Sequence, residues 1–398
     1  MKKTLLIISA VMFAMVASAA DKVTLTVKNS LKSARAGEMV EVPFEQVKKK
    51  LGGAEQVVVT DADGREIPSQ VTYDGKLIFQ VGVAAKGKSV YYAKAGTPQN
   101  YESKVYGRQY RERKDDFAWE NDLVAFRCYG PALQRSGERA WGYDIWNKRT
   151  SKLILDQRFA MELDSDMSKV CNKLRKMGQG DLADDIYNAI SYHVDHGNGM
   201  DCYKVGPTLG CGTAALMQGD AILYPYCWKE YEILENGPLR FTVKLTYNPL
   251  VVGKDTVIET RTISLAQGSQ LNKTVVSYAG LSKAAPVATG LVIHPENPTA
   301  YVLEGDKGYI AYADLTDNVN NGNGIIYVGA VMPAKVQEAK AQMFADKEAK
   351  ERGASGHVLA ISNYKPETEY TYYWGAGWSK YGFDSMEAWT EYLDHYAQ

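Results

Sequence analysis

Val257-Ile-Glu-Thr-Arg-Thr-Ile-Ser-Leu265, followed through Gln267-Gly-Ser269 by Leu271-Asn-Lys-Thr-Val-Val-Ser-Tyr278, is the stretch on which the fold turns. Each flank alternates along its length and is rich in β-branched residues, as a strand with one buried face requires. The Gln-Gly-Ser segment between them supplies a hairpin turn. Outward from this hairpin the same pattern recurs at 123–127, 239–247, 301–303, 308–312, 324–330 and 357–361, and 368–374 is expected to close the sheet. Many antiparallel strands without a βαβ rhythm predict a mainly β chain built as a large double-sheet sandwich.

Towards the N-terminus the strands shorten. Segments 23–27, 56–60 and 76–81 alternate around the turns Asp61-Ala-Asp-Gly64 and Tyr73-Asp-Gly75, which predicts a small β-domain over 21–100. Gly96-Thr-Pro98 and a polar connector then mark a boundary, and 101–398 forms the large domain. Three helical insertions are expected: 167–190, broken at Gly178-Gln-Gly180; 334–352, rich in Ala, Lys and Glu; and 383–396, with Asp384 or Ser385 as N-cap.

Residues 1–20 read as a cleavable leader. Lys2 and Lys3 precede an apolar run that ends in Ala17-Ser18-Ala19. The run is shorter than the roughly 20 residues that span a bilayer, and no membrane span is expected elsewhere. The mature chain is therefore expected to be exported, periplasmic or secreted. With 46 basic against 47 acidic residues, no nucleic-acid partner is expected. The 27 tyrosines and seven tryptophans suit stacking on sugar rings, although strand propensity also enriches tyrosine. Five cysteines, at 128, 171, 202, 211 and 227, leave at least one unpaired within the chain, and Cys202 with Cys211 is a possible bridge.

Proton-transfer groups concentrate in Ser191-Tyr-His-Val-Asp-His-Gly-Asn-Gly-Met-Asp-Cys-Tyr-Lys204. His193 and His196 would share a face only on a helix. The following Gly197-Asn-Gly199 and the absence of a third ligand favour acid–base chemistry over zinc, and no metal or cofactor is expected. The competing reading is a ring bonded to backbone at a turn. Tyr192, Tyr203 and Lys204 complete the candidate catalytic set, and Asp201 lies among them. Gly210-Cys-Gly212 permits close backbone approach. Arg108, Arg113, Trp119, Glu120, Asn121 and Asp122 crowd one segment, and guanidinium groups recognise carboxylates. Tyr143 and Asp144 in Trp141-Gly-Tyr-Asp-Ile-Trp-Asn-Lys148, with Trp374 and Trp378, extend a cleft with aromatic walls. His294, His357 and His395 are isolated and read as structural, with His294 the one to revisit.

Trp119-Glu-Asn-Asp122 with Ala125-Phe-Arg127 and Tyr129-Gly-Pro-Ala132, Tyr143-Asp-Ile-Trp-Asn-Lys-Arg149, Tyr192-His193, Gly199-Met-Asp201 and Lys204-Val-Gly-Pro-Thr-Leu-Gly210 together resemble the bacterial domain-of-unknown-function family 4861. The resemblance covers most of the chain. It implies a galactose-mutarotase-like antiparallel β-supersandwich over 101–398, preceded by a small β-domain, in polysaccharide-degrading bacteria such as Bacteroidetes. It also implies an accessory role in pectin or ulvan breakdown. No shared catalytic set is carried over.

The expected function is β-elimination or dehydration of acidic, uronate-containing oligosaccharides. His193 or His196 is the base, Arg108, Arg113 or Lys204 meets the carboxylate, and Tyr203 or Tyr192 is the acid. The alternatives are a non-catalytic glycan-binding protein, a glycoside hydrolase or a mutarotase on the same fold.

Overall fold

The computed structural model describes residues 21–397, and the leader expected at 1–20 lies outside them. The chain is mainly β, with antiparallel sheets. It divides into two compact units.

The first unit comprises the segment ending at Tyr106 with Leu234–Thr242 and Ala266–Gly268. One sheet runs in the order Val23–Lys28, Lys88–Ala95, Val57–Thr60, Glu66–Ile67; the other runs Arg35–Pro43, Lys76–Val83, Ser69–Val71. Alternation turns Leu25, Val42, Val59 and Phe79 into a shared core, which Val47 of the helix Phe44–Lys50 joins. The late segment is held by polar contacts within this unit. Gln70 Oε1 accepts from the backbone N–H of Leu239 (2.8 Å) and Arg240 (2.9 Å), and Arg240 pairs with Glu41, Asp74 and Glu235.

The second unit comprises Gly107–Ile233, Val243–Leu265 and the chain from Ser269 onward. The hairpin that decides the fold forms as its alternation predicts: Asp255–Ala266 pairs antiparallel with Leu271–Ala279, Ser264 opposite Lys273. The strand Tyr370–Trp378 does not close the sheet. It lies inside it, paired along both backbone edges with Leu271–Ala279 and Ile326–Val331, and its Tyr372 and Trp374 are fully buried. A five-stranded sheet containing Cys211–Gln218, Ala285–Ile293 and Gly356–Tyr364 packs on this large sheet. Polar contacts cross between the layers: the hydroxyls of Thr289 and Tyr370 are 2.9 Å apart, and Tyr364 OH accepts from Tyr278 N at 3.0 Å.

The helices Ser165–Lys176 and Gly180–Ile190 flank the expected break, and Asp164 caps the first through Asp166 N (2.8 Å) and Met167 N (3.0 Å). The last helix, Met386–Ala397, buries Trp389 and Leu393, with Ser385 Oγ accepting from Ala388 N. The expected helix at 334–352 is mostly not one. Glu338–Met343 is a strand paired with Gly356–Tyr364, and only Asp346–Arg352 is helical. Glu338-Ala-Lys-Ala-Gln-Met also alternates with period two, and an available sheet edge outweighs modest helix propensity. All five cysteines are unpaired and buried, so Cys202 and Cys211 form no bridge. Among the described residues no helix is long and apolar enough to cross a membrane.

Candidate functional site

A five-stranded sheet of the second unit places the chemistry. Its strands Gly199–Asp201, Asp144–Lys148, Val124–Cys128 and Asp116–Asn121 lie side by side in that order. The register sets Arg127 opposite Asp144, Trp146 opposite Asp201, and Phe126 opposite Trp119. Side chains alternate between faces, so Asp116, Arg127, Asp144 and Asp201 share one face while Trp119 and Phe126 take the other. The aromatic face packs into the core: Trp374 stacks on Tyr143 at 4.0 Å and meets Trp119 edge-on at 6.3 Å.

On the polar face Arg127 is the hub. Its Nε donates to Asp144 Oδ2 (2.8 Å), and one terminal nitrogen donates to Asp201 Oδ2 (2.8 Å) and also to Asp144. Tyr129 OH donates to Asp144 Oδ2 at 3.1 Å. Asp116 Oδ1 accepts from Gly130 N (3.0 Å), and its Oδ2 stands 3.9 Å from both Arg127 and Arg113. Gly130 carries no Cβ because Asp115 backbone atoms lie 2.1 Å from where one would sit. Arg127 Nη1 and Asp116 Oδ2 are buried and make no hydrogen bond among the described residues. Burial raises the Asp144 carboxyl to about 7 and the Asp116 carboxyl to about 6, with Arg127 opposing both shifts. Both carboxyls therefore bind protons closer to neutrality than an ordinary aspartate does.

Above this hub sits the loop after the helix Gly180–Ile190. Arg158 fixes it by donating to the carbonyls of Ser191 (2.9 Å) and Val194 (2.6 Å). Asp195 fixes its end by accepting from Gly197 N and Gly199 N and pairing with Arg149. His193 Nδ1 is 3.0 Å from the Asp201 carbonyl, so Nδ1 carries the proton and donates, leaving the Nε2 lone pair free. Its side chain is 49% exposed, and its ring lies 4.5 Å from that of Tyr192. Tyr192 OH in turn accepts from Arg113 Nε at 3.1 Å, and the Arg113 side chain is 20% exposed. His193, Tyr192, Arg113, Asp144 and Asp201 therefore meet in one place. His196 is bonded through Nε2 to the Ser191 carbonyl (3.1 Å), which is the turn reading.

The remaining expected site residues are positioned otherwise. Trp119, Tyr143, Trp374 and Trp378 are fully covered, so they line no glycan cleft. Their polar atoms bond inward: Trp119 Nε1 to Asn272 Oδ1 (2.7 Å), Trp374 Nε1 to Thr274 Oγ1 (2.7 Å), Trp378 Nε1 to the Asn323 carbonyl (2.8 Å), and Tyr143 OH accepts from Arg261 (3.1 Å). Glu120 is buried, pairs with Lys148 (2.6 Å) and accepts from the N–H groups of Ile154 and Leu155 at the start of the helix Leu155–Glu162. Asn121 accepts from Leu123 N and Val124 N, shaping a turn, with the half-buried Asp122 beside it. Arg108 is held by Asp156 (2.7 Å) and Glu112 (2.8 Å). Lys204 is exposed to solvent. Gly210, at φ +54, approaches Tyr143 rather than a ligand: the Tyr143 carbonyl lies 2.3 Å from where its Cβ would sit.

Tyr203 is buried, its hydroxyl has no hydrogen bond among the described residues, and burial pushes its phenol upward. It faces His294 edge-on at 6.1 Å. His294 Nδ1 is held 2.5 Å from Asp314 Oδ2, and its Nε2 has no partner among the described residues. Arg127, Tyr129, Asp116 and the Asp314–His294 pair are thus the groups that sequence reasoning did not select. Alternation along Arg127-Cys-Tyr129 was the available signal for the first two.

A family model described as "Domain of unknown function (DUF4861)" matches residues 27–398. "Uncharacterized protein P7" of Formosa agariphila is 25% identical over 395 residues, covering 94% of this chain and 90% of that protein. Among solved structures, an alpha-mannosidase from Enterococcus faecalis aligns at TM-score 0.45 and 8% identity, over 95% of this chain and 45% of that one. A protein in glycosyl hydrolase family 38 from the same organism aligns at 0.45 and 9%, over 94% and 46%. The chain spans about half the length of these solved structures.

Proposed function

The chain belongs to the DUF4861 family, and from that premise we propose that it is an exported carbohydrate-active enzyme working by general acid–base chemistry on uronate-containing oligosaccharides. The observation that carries the reading is His193, half-exposed, tethered through Nδ1 and set beside the Tyr192–Arg113 pair. A neutral imidazole with one nitrogen fixed presents the other as a base without reorganisation. Nε2 takes the proton from the carbon next to the uronate carboxylate, and Arg113, the least engaged cation at the site, faces that carboxylate. The carbon–carbon double bond forms as the carbon–oxygen bond breaks, and Tyr192 returns a proton to the leaving oxygen.

A second reading has its own support. Three buried carboxyls surround Arg127, and burial raises two of them, Asp116 and Asp144, towards neutrality. That balance suits acid–base work on a neutral sugar, as in a hydrolase or mutarotase, better than binding an anion.

Incubation with oligogalacturonate and ulvan-derived oligosaccharides separates the readings. Elimination generates ultraviolet absorbance of an unsaturated uronate, hydrolysis generates reducing ends without that absorbance, and mutarotation changes optical rotation alone. His193→Ala is expected to lower turnover about 100- to 10,000-fold with the melting curve unchanged. Binding without any of these products marks a non-catalytic glycan-binding protein and sinks the enzyme reading. Export rests on the leader, and recovery of the processed chain from the periplasm or medium is its check.

A further inference from the structure

A cleft of about 600 Å³ opens in the second unit next to the proposed centre, lined by Tyr226, Trp228, Tyr231, Arg135, Lys229 and Glu230, among others. Its size falls in the range that holds small organic ligands. Tyr226 is 54% exposed and Tyr231 38%, so two phenol faces are presented to whatever enters. The buried Trp228 also lines the cleft, edge-on to Tyr231 at 5.8 Å, and its Nε1 makes no hydrogen bond among the described residues. A buried indole N–H of this kind is an unused donor.

The lining selects the ligand's chemistry. Apart from Pro131 it contains no aliphatic side chain, so its apolar surface is mainly flat and aromatic. The charged groups pair on the spot, Arg135 with Asp115 at 3.5 Å and Lys229 with Glu230 at 3.3 Å. Such exposed pairs contribute little, and ligand hydroxyls replace them at small cost. Flat aromatic faces ringed by exchangeable polar groups match a pyranose, which has an apolar face and an equatorial belt of hydroxyls.

The cleft also has a defined relation to the proton-transfer groups. Asp115 lines it while the next residue, Asp116, turns to Arg127. Pro131 lines it while Gly130 N donates to Asp116, and Cys227 Sγ lies 3.8 Å from the Tyr129 carbonyl. The turn 129–131 is thus one wall seen from both sides.

We propose that this cleft is an oligosaccharide-binding subsite, distinct from the His193 centre, that holds pyranose rings against Tyr226 and Tyr231. The proposal rests on the carbohydrate reading above but not on its chemistry. The test is calorimetric titration of the full chain with hexagalacturonate and with cellohexaose, as acidic and neutral probes. Wild type is expected to bind at least one of them. Tyr226→Ala with Tyr231→Ala is expected to weaken that binding about tenfold or more, and Tyr226→Phe with Tyr231→Phe to restore it. Tyr231 also packs on Phe117 and Trp228, so matched melting curves are used to identify folded variants. Unchanged binding in the double alanine variant, or no binding of either probe by wild type, overturns the subsite. Loss of binding in that variant, with no product from any sugar tested, supports the subsite and refutes only the proposed reaction.

Discussion

Arg127 holds one positive charge among Asp116, Asp144 and Asp201, all buried. Arg127→Met is expected to cost about 3–5 kcal/mol by chemical denaturation, because it leaves carboxyls without their cation rather than because the pair itself is strongly stabilising. A second residue gives a pH signature. His357 is buried with Nε2 accepting from Leu209 N at 3.0 Å, and burial, aided by Arg352, lowers it from 6.5 to about 3. The native state therefore binds fewer protons at this ring than the unfolded chain does. Its contribution is complete above pH 6.5 and is lost as pH falls from there towards 3. Asp116 and Asp144, shifted upward, act in the opposite sense, so comparison with His357→Gln isolates the histidine. Wild type should lose about 1.4 kcal/mol more per pH unit than the variant below 6.5. Parallel stability curves for the two proteins would contradict this assignment.

At the level of elements, tryptophan has changed role most. Trp374 stacks on Tyr143 and meets Trp119 and Phe126, so it joins two sheets instead of facing a ligand. Trp374→Ala should destabilise by about 3–5 kcal/mol, read from the denaturation midpoint, without any direct effect on sugar binding. Gly210→Ala should also destabilise, measurably by melting, since the added methyl meets the Tyr143 carbonyl at a left-handed φ. The strands were legible because period-two alternation is local: the 255–279 hairpin follows directly from it. Which face of a strand is buried is not local, and Trp119, with cover on its own side, looks the same in sequence as an exposed stacking residue. The site was legible where its groups are neighbours, as in Tyr192 and His193. Arg127 was not, because its partners lie 17 and 74 residues away and only the sheet register brings them together. The 334–352 segment misled because its composition favours helix while its pairing partner, Gly356–Tyr364, comes later in the chain.

Across the whole molecule the five thiols are buried and unpaired, and burial raises those of Cys128, Cys202, Cys211 and Cys227 well above the ordinary thiol range, Cys227 to about 12. A thiol reagent should therefore label none in the native protein and five after denaturation, and reductant should leave the melting temperature unchanged. Labelling of fewer than five in denaturant would reveal a bridge. Another consequence concerns biogenesis. Tyr370–Trp378 is the last strand of the described chain, yet it lies between Leu271–Ala279 and Ile326–Val331. Until it leaves the ribosome, each of those strands has an open edge, and the largest sheet exists as two unjoined halves. The nascent chain carries the first edge from residue 279 and both from residue 331 until the joining strand is made, so truncation near residue 370 is expected to be a route to aggregation, read from the insoluble fraction.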